Sequence, residues 1–315
     1  MQNKKLYMSL KYAVIGTGAI GGYYGGKLAH SGKEVHFLLH SDYEYVKQNG
    51  LQVDSIDGNF HLENVNVYKT TQDMPACDVV LVALKTTNNR LLKELLPPLL
   101  HKETIVILIQ NGLGLEADLQ KDFPKLSIAG GLAFICSSKI GEGNIGHFDQ
   151  GRLNLGSYSC PTPEILGQVC ADFVQAGVET QVLELEKARW MKLVWNIPYN
   201  GITVVMNTTT DKLMADPAMA ELLREIMLEV IHGANTVGQG RFSIPESYAD
   251  KMLETTRMMT PYAPSMKLDY DNRRPLEVKY IYSRPIQEAK KAGFEMRRIA
   301  MLKSQLQFLE GLYQK

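Results

Sequence analysis

The chain of 315 residues has no long hydrophobic run. Its strongest apolar stretches, residues 79–84 and 105–109, fall far short of the roughly 20 residues that a membrane-spanning helix needs. It has no excess of either charge, with 34 Lys+Arg against 34 Asp+Glu. That excludes a strongly basic nucleic-acid binder. It is poor in cysteine. The four present, Cys77, Cys136, Cys160 and Cys170, form no C-x-x-C pair and are too few for a disulfide framework. A reducing cytoplasm is the expected compartment. The N-terminus runs straight into a strand-like segment and lacks the apolar core of a signal peptide. Met8 offers an alternative start. No internal repeat or low-complexity tract is visible. With 45% hydrophobic and 22% charged residues, the composition excludes a disordered chain and fits one large or two medium domains.

The first half alternates strand and helix patterns. Strands are expected at 11–15, 34–39, 78–84, 104–109, 126–135 and 178–183. Helices are expected from the Gly-rich turn to about residue 30, and at 88–95, 115–122 and 163–176. Residues 51–68 read as a hairpin excursion turning at Asp57-Gly58. Residues 144–148 and 152–156 read as a second hairpin. Apolar strands separated by helices imply a parallel sheet with covering helices.

After about residue 184 helical periodicities take over. The clearest lies at 216–237, with apolar residues at Met219, Leu222, Leu223, Ile226, Met227, Val230, Ile231 and Ala234. Asp216 suits its N-cap and Pro217 its first position. Further helices are expected at 186–196, 247–256, 276–283 and 294–313. The fold class is therefore α/β for residues 1–184, followed by an all-helical domain over 185–315.

Gly16-Thr17-Gly18-Ala19-Ile20-Gly21 matches G-x-G-x-x-G between a strand and a helix, which is the context of a dinucleotide fingerprint. Gly16 permits the tight turn. Gly18 lets a pyrophosphate approach the backbone, and Gly21 lets helix and strand pack closely. NAD sites place a carboxylate after the second strand to bind the ribose 2′-hydroxyl. Here His40 and Ser41 occupy that place, which favours NADPH. Asp42 argues the other way if it points inward. Lys85 and Asn111 follow two expected strands at their carboxyl ends, where open α/β sheets bind ligands.

Lys192, Asn196 and Asn200 are spaced i, i+4, i+8 and form one polar ridge on a helix. Their neighbours Met191, Leu193, Val194, Trp195 and Ile197 are apolar, which suggests a lined cleft. Pro198 is expected to kink the helix and to swing Asn200 off the ridge. Ser265 and Glu277 form a second cluster. Their positions also suit ordinary caps.

Together these motifs resemble the ketopantoate reductase family (2-dehydropantoate 2-reductases) over nearly the whole chain. The resemblance rests on the Gly-rich turn, Leu84-Lys85, Gln110-Asn111-Gly112-x-Gly114, Lys192-x-x-x-Asn196-x-x-x-Asn200, and Ser265-Met266 followed by Glu277. It implies a Rossmann-type dinucleotide-binding domain and a helical domain like the C-terminal domain of 6-phosphogluconate dehydrogenase. It also implies reduction of 2-dehydropantoate to (R)-pantoate by NADPH, on the route to pantothenate and coenzyme A. Lys192 is then the general acid, and Glu277 takes part in catalysis and touches the cofactor. Asn111, Asn196, Asn200 and Ser265 bind the 2-oxo acid. Gly16, Gly18, Ala19, Ile20, Gly21, His40, Ser41, Lys85 and Asn111 contact the nucleotide. No metal, nucleic acid or membrane is implied, and a homodimer is compatible with the resemblance. His40 stands where relatives often carry a basic residue, and Leu276 where they often carry Thr. Competing expectations are a reductase of another 2-oxo acid and a non-catalytic NAD(P)-sensing protein.

Overall fold

The structure is a computed structural model and describes residues 9–261 and 263–314. Met8 lies outside them. The described chain divides into two compact units. One comprises residues 9–110 with Glu116–Leu183; the other comprises Asn111–Leu115 with residues 184–314. Among the described residues no helix is long and apolar enough to cross a membrane.

The first unit is built on one mixed sheet. Its strands are β1 (Lys11–Ile15), β2 (Glu34–Leu38), β3 (Leu51–Ser55), β4 (Phe60–Leu62), β5 (Asn66–Tyr68), β6 (Val79–Val82), β7 (Ile105–Leu108), β8 (Ser127–Gly141), β9 (Asn144–Ser157) and β10 (Thr180–Val182). Their spatial order is β4-β3-β9-β8-β7-β6-β1-β2-β5, with β10 beside β9. From β5 to β8 every neighbouring pair is parallel. Helices α1 (Ala19–His30), α2 (Tyr43–Asn49), α3 (Leu92–Leu95), α4 (Leu115–Asp122) and α5 (Glu164–Gln175) complete the α/β pattern. β6 and β7 are uninterrupted apolar strands and wholly buried, as a sheet covered on both faces requires. Chain order reverses between β1 and its neighbours β2 and β6, so the switch point of the sheet lies at the end of β1.

The second hairpin expected from the sequence is corrected. Residues 144–148 and 152–156 belong to the single strand β9, which pairs antiparallel with β8. The true turn is at Glu142-Gly143. Gln150 and Gly151, with φ of 62° and 121°, make an irregularity within β9 and not its end. The helix expected at 88–95 is a 3₁₀ segment over Thr86–Leu91 followed by the single turn α3.

The second unit is helical: α6 (Leu185–Val205), α7 (Thr210–Ala215), α8 (Pro217–Gly238), α9 (Ser247–Met258), α10 (Ser265–Asp271), α11 (Arg284–Lys291) and α12 (Arg297–Gly311). Asp216 caps α8 as expected, accepting from Met219 N–H at 3.0 Å. The apolar stripe of α8 is buried with Leu193, Val194 and Ile197 of α6 in one core, which also takes in Leu113. The segment expected as a helix at 276–283 is a π-helical turn over Lys279–Ser283 that runs into α11.

Pro198 does not end α6, which is 21 residues long and runs on to Val205. The lost N–H removes one bond to Val194 O, while the buried stretch 197–204 holds the helix together. Tyr282 Oη–H donates to Ile197 O at 2.9 Å, beside the proline.

Candidate active site

At the end of β1 the chain makes the Gly-rich turn. Gly16 has φ +94°, and a Cβ there would lie 2.7 Å from Leu84 N. A Cβ on Gly21 would lie 2.3 Å from Gly16 O. Both positions therefore exclude a side chain. Gly18 differs, because a Cβ there would meet nothing within 4 Å. It is the N-cap of α1 and makes no side-chain cap, and the first turn holds no acidic residue. Open space above uncapped N–H groups at the switch point is what a pyrophosphate needs. Thr17 Oγ1 donates to Leu38 O at 2.9 Å and ties the turn to the end of β2.

Beyond β2, His40 and Ser41 are exposed. Asp42 is buried, and both of its carboxylate oxygens are engaged within the protein. It accepts from Ser41 Oγ–H at 2.8 Å, from Gly143 N–H at 3.0 Å and from Lys139 Nζ. Burial pushes its pKa up, but the bonds from Lys139, Gly143 and Ser41 outweigh that and hold the carboxyl below its usual range. The charge that argued against NADPH is therefore matched within its own surroundings.

Lys85 is exposed and precedes the 3₁₀ segment that follows β6. The ends of β6 and β7 are bridged by Gln110, whose amide donates to Leu84 O at 2.7 Å and to Asn89 Oδ1 at 2.6 Å. Gln110 was legible only as a neighbour of Asn111. Its bridging role needs the sheet.

In the helical unit α6 displays the ridge. Glu184 caps it, accepting from Glu186 N–H and Lys187 N–H at 2.9 Å each. Lys192 is half-buried, and Asn196, Asn200 and Arg189 are buried. Asn200 remains within α6, and its Oδ1 accepts from Met266 N–H at 3.2 Å and holds the first turn of α10. Ser265 is the first residue of α10, directly after its N-cap Pro264. Asn196 Nδ2 is buried and has no hydrogen-bond partner among the described residues. A buried amide donor is rarely left so unless something else is meant to accept from it.

Glu277 is buried just ahead of the π-helical turn, an irregularity that recurs at functional sites. It acts electrostatically on Lys192. Burial lowers the Lys192 pKa most, Arg189 lowers it further, and Glu277 partly opposes both, leaving it at about 7. Arg189 was missed in the sequence. Its signal was an Arg three residues before Lys192 in an otherwise apolar stretch.

Asn111 groups with the helical unit. Leu113 N–H donates to Tyr280 O at 2.9 Å. Gly112 has φ +112°, and a Cβ there would lie 2.5 Å from Tyr280 Cβ. The Asn111 segment is thereby pinned to the turn that follows Glu277. Gly112→Ala should cost about 3 kcal/mol, from strained φ and backbone overlap together. A guanidinium midpoint within error of the parent would refute the clamp.

A doubly wound sheet with a Gly-rich turn at its switch point, and a helical unit carrying a half-buried Lys192 with buried Asn196 and Glu277, define an oxidoreductase of the dinucleotide-binding α/β class. Comparison with known proteins narrows this. Residues 12–159 match the family described as ketopantoate reductase PanE/ApbA, and residues 184–310 match its C-terminal family. A 2-dehydropantoate 2-reductase of Nostoc sp. is 48% identical over 307 residues, covering 96% of this chain and 95% of that one. The crystal structure of 2-dehydropantoate 2-reductase from Geobacter metallireducens is 40% identical with TM-score 0.91, covering 95% of this chain and 99% of that one. The enzyme of that name from Methylococcus capsulatus is 29% identical with TM-score 0.88, covering 97% and 98%. The chain belongs to the ketopantoate reductase family.

Proposed function

We propose that the protein reduces 2-dehydropantoate to (R)-pantoate with NADPH, a step toward pantothenate. The observation that carries the reading is the unpartnered Asn196 amide one helical turn from Lys192, whose pKa burial brings to about 7. The name of the relative at 48% identity supports the choice of substrate. Residues 1–184 bind the nucleotide and residues 185–315 hold the substrate. The turn Gly16–Gly21 takes the pyrophosphate, with Gly18, Ala19 and Ile20 at the open end of α1. His40 and Ser41 are the residues for the adenosine ribose, and Lys85, Asn111 and Glu277 are each further nucleotide contacts of their own unit. NADPH, when bound, supplies the hydride.

The protein's own residues do the rest. As negative charge grows on the ketone oxygen, the Lys192 ammonium stabilises it and gives up a proton to it. Asn196 donates to the substrate and orients it without adding charge. Asn200 keeps one oxygen on Met266 and offers its amide to the substrate with Ser265. Glu277 accepts from the substrate hydroxyl and favours the charged form of Lys192. Four free thiols support a reducing cytoplasm. The exposed Met301, Phe308 and Leu312 on or just past α12 support a homodimer.

A panel of 2-oxo acids tests the reading. With NADPH, 2-dehydropantoate should exceed pyruvate and 2-oxoisovalerate in kcat/KM by at least about tenfold. Preference for a smaller 2-oxo acid would assign the scaffold to another substrate. No turnover with any of them would favour a nucleotide-sensing role.

A further inference from the structure

The nucleotide end of the first unit holds a cation that the sequence conceals. Lys139 lies near the far end of β8, 98 residues from Ser41, yet its Nζ comes within 3.4 Å of Ser41 Oγ. Two residues before it on the same strand, Ser137 Oγ–H donates to Ala19 O at 3.2 Å, at the first residue of α1. The end of β8 therefore runs past both parts of the cradle, the start of α1 and the segment after β2. In sites of this architecture the segment after β2 is where the ribose 2′ position is read. Here that segment offers His40 and Ser41 rather than a basic side chain.

The donors and acceptors left open here favour a phosphate over a hydroxyl. An NAD site needs a carboxylate with an oxygen open to the ribose. Asp42 is 5% exposed, and both of its oxygens are engaged by Ser41, Gly143 and Lys139. It therefore serves as an anchor for the ammonium and is not a ribose acceptor. The Lys139 side chain is still 36% exposed. Its ammonium has three N–H donors, two of them directed at Asp42 and Ser41. The third is available to an anion arriving from solvent, and Asp42 fixes the direction in which it points. A lysine held in this way meets a phosphate as a point charge.

We propose that Lys139 binds the 2′-phosphate of NADPH and is the residue that sets the preference for NADPH over NADH. The inference rests on the NADPH reading above. Calorimetric titration of the full chain with adenosine 2′,5′-bisphosphate and with AMP tests it, alongside NADPH and NADH. Lys139→Met should weaken adenosine 2′,5′-bisphosphate and NADPH about 30-fold, as expected for one charge-assisted bond. AMP and NADH should change by less than about twofold, which also shows that the fold is intact. Lys139→Arg should restore most of the loss. Unchanged affinity for adenosine 2′,5′-bisphosphate in Lys139→Met, with the parent still preferring NADPH, overturns the role of Lys139 alone. Equal weakening of AMP overturns it as well. A parent that binds NADH as tightly as NADPH overturns the NADPH reading and this inference with it.

Discussion

Replacing Lys192 by Ala should lower turnover about 10³-fold and leave NADPH affinity almost unchanged. Loss of a positioned acid removes about 10²–10⁴ from a proton-coupled step. Lys192 sits on α6, whereas the Gly-rich turn lies on the other unit. A fluorescence titration with NADPH beside steady-state kinetics separates the two effects. Near-normal turnover would remove Lys192 from the role.

The same residue fixes a pH dependence. The acid must be protonated to act, and its pKa is brought down from 10.5 to about 7. In the direction of reduction, kcat/KM, which reports the free enzyme, should be level below about pH 7 and fall with rising pH above it. Stability should move the opposite way. Between about 7 and 10.5 the unfolded chain binds more protons at this lysine than the folded one, so stability gains with pH across that window. A kcat/KM profile flat to pH 9 would be incompatible with Lys192 as the acid.

Asn196→Leu should separate function from stability in the other sense. The Asn196 amide is buried with a donor that no described residue accepts from. Such a group destabilises the fold by about 1–3 kcal/mol relative to a satisfied one. An apolar residue of similar shape removes that penalty. Calorimetry should therefore show a melting temperature equal to the parent's or higher. Loss of the hydrogen bond to the substrate should reduce kcat/KM about 100-fold. A large drop in melting temperature would mean that the amide serves the fold. An unchanged kcat/KM would mean that it serves neither.

What could be read from the chain and what could not follow from the range of the interactions. β1, β6, β7 and α1 were legible because their patterns are local: apolar runs, a Gly-rich turn, then a helix. The β8–β9 pair is not legible in the sequence because a glycine with positive φ marks a turn and a bulge alike. Only the partner strand distinguishes Gly143, which turns, from Gly151, which does not. The full length of α6 is not legible because Pro198 is a local signal to stop, whereas the burial that overrides it comes from other helices. The ridge of Lys192, Asn196 and Asn200 was plain from spacing. That Asn200 spends an oxygen on Met266, and that Lys139 reaches Ser41, depends on contacts 66 and 98 residues apart. The charge of Asp42 was visible, but the lysine that pairs with it was not.

The clamp between Gly112 and Tyr280 bears on how such a protein can be inherited. A joint near residue 184 invites the view of two modules that recombination could exchange. Yet Asn111–Leu115 is translated with the first half and groups with the second, contributing Leu113 to its core. A crossover at the joint would give the helical half a foreign insert in place of its own Leu113, set against the turn that carries Tyr280. A chimera joined at residue 184 therefore needs a second exchange, at this five-residue thread, to keep the native core of its helical half.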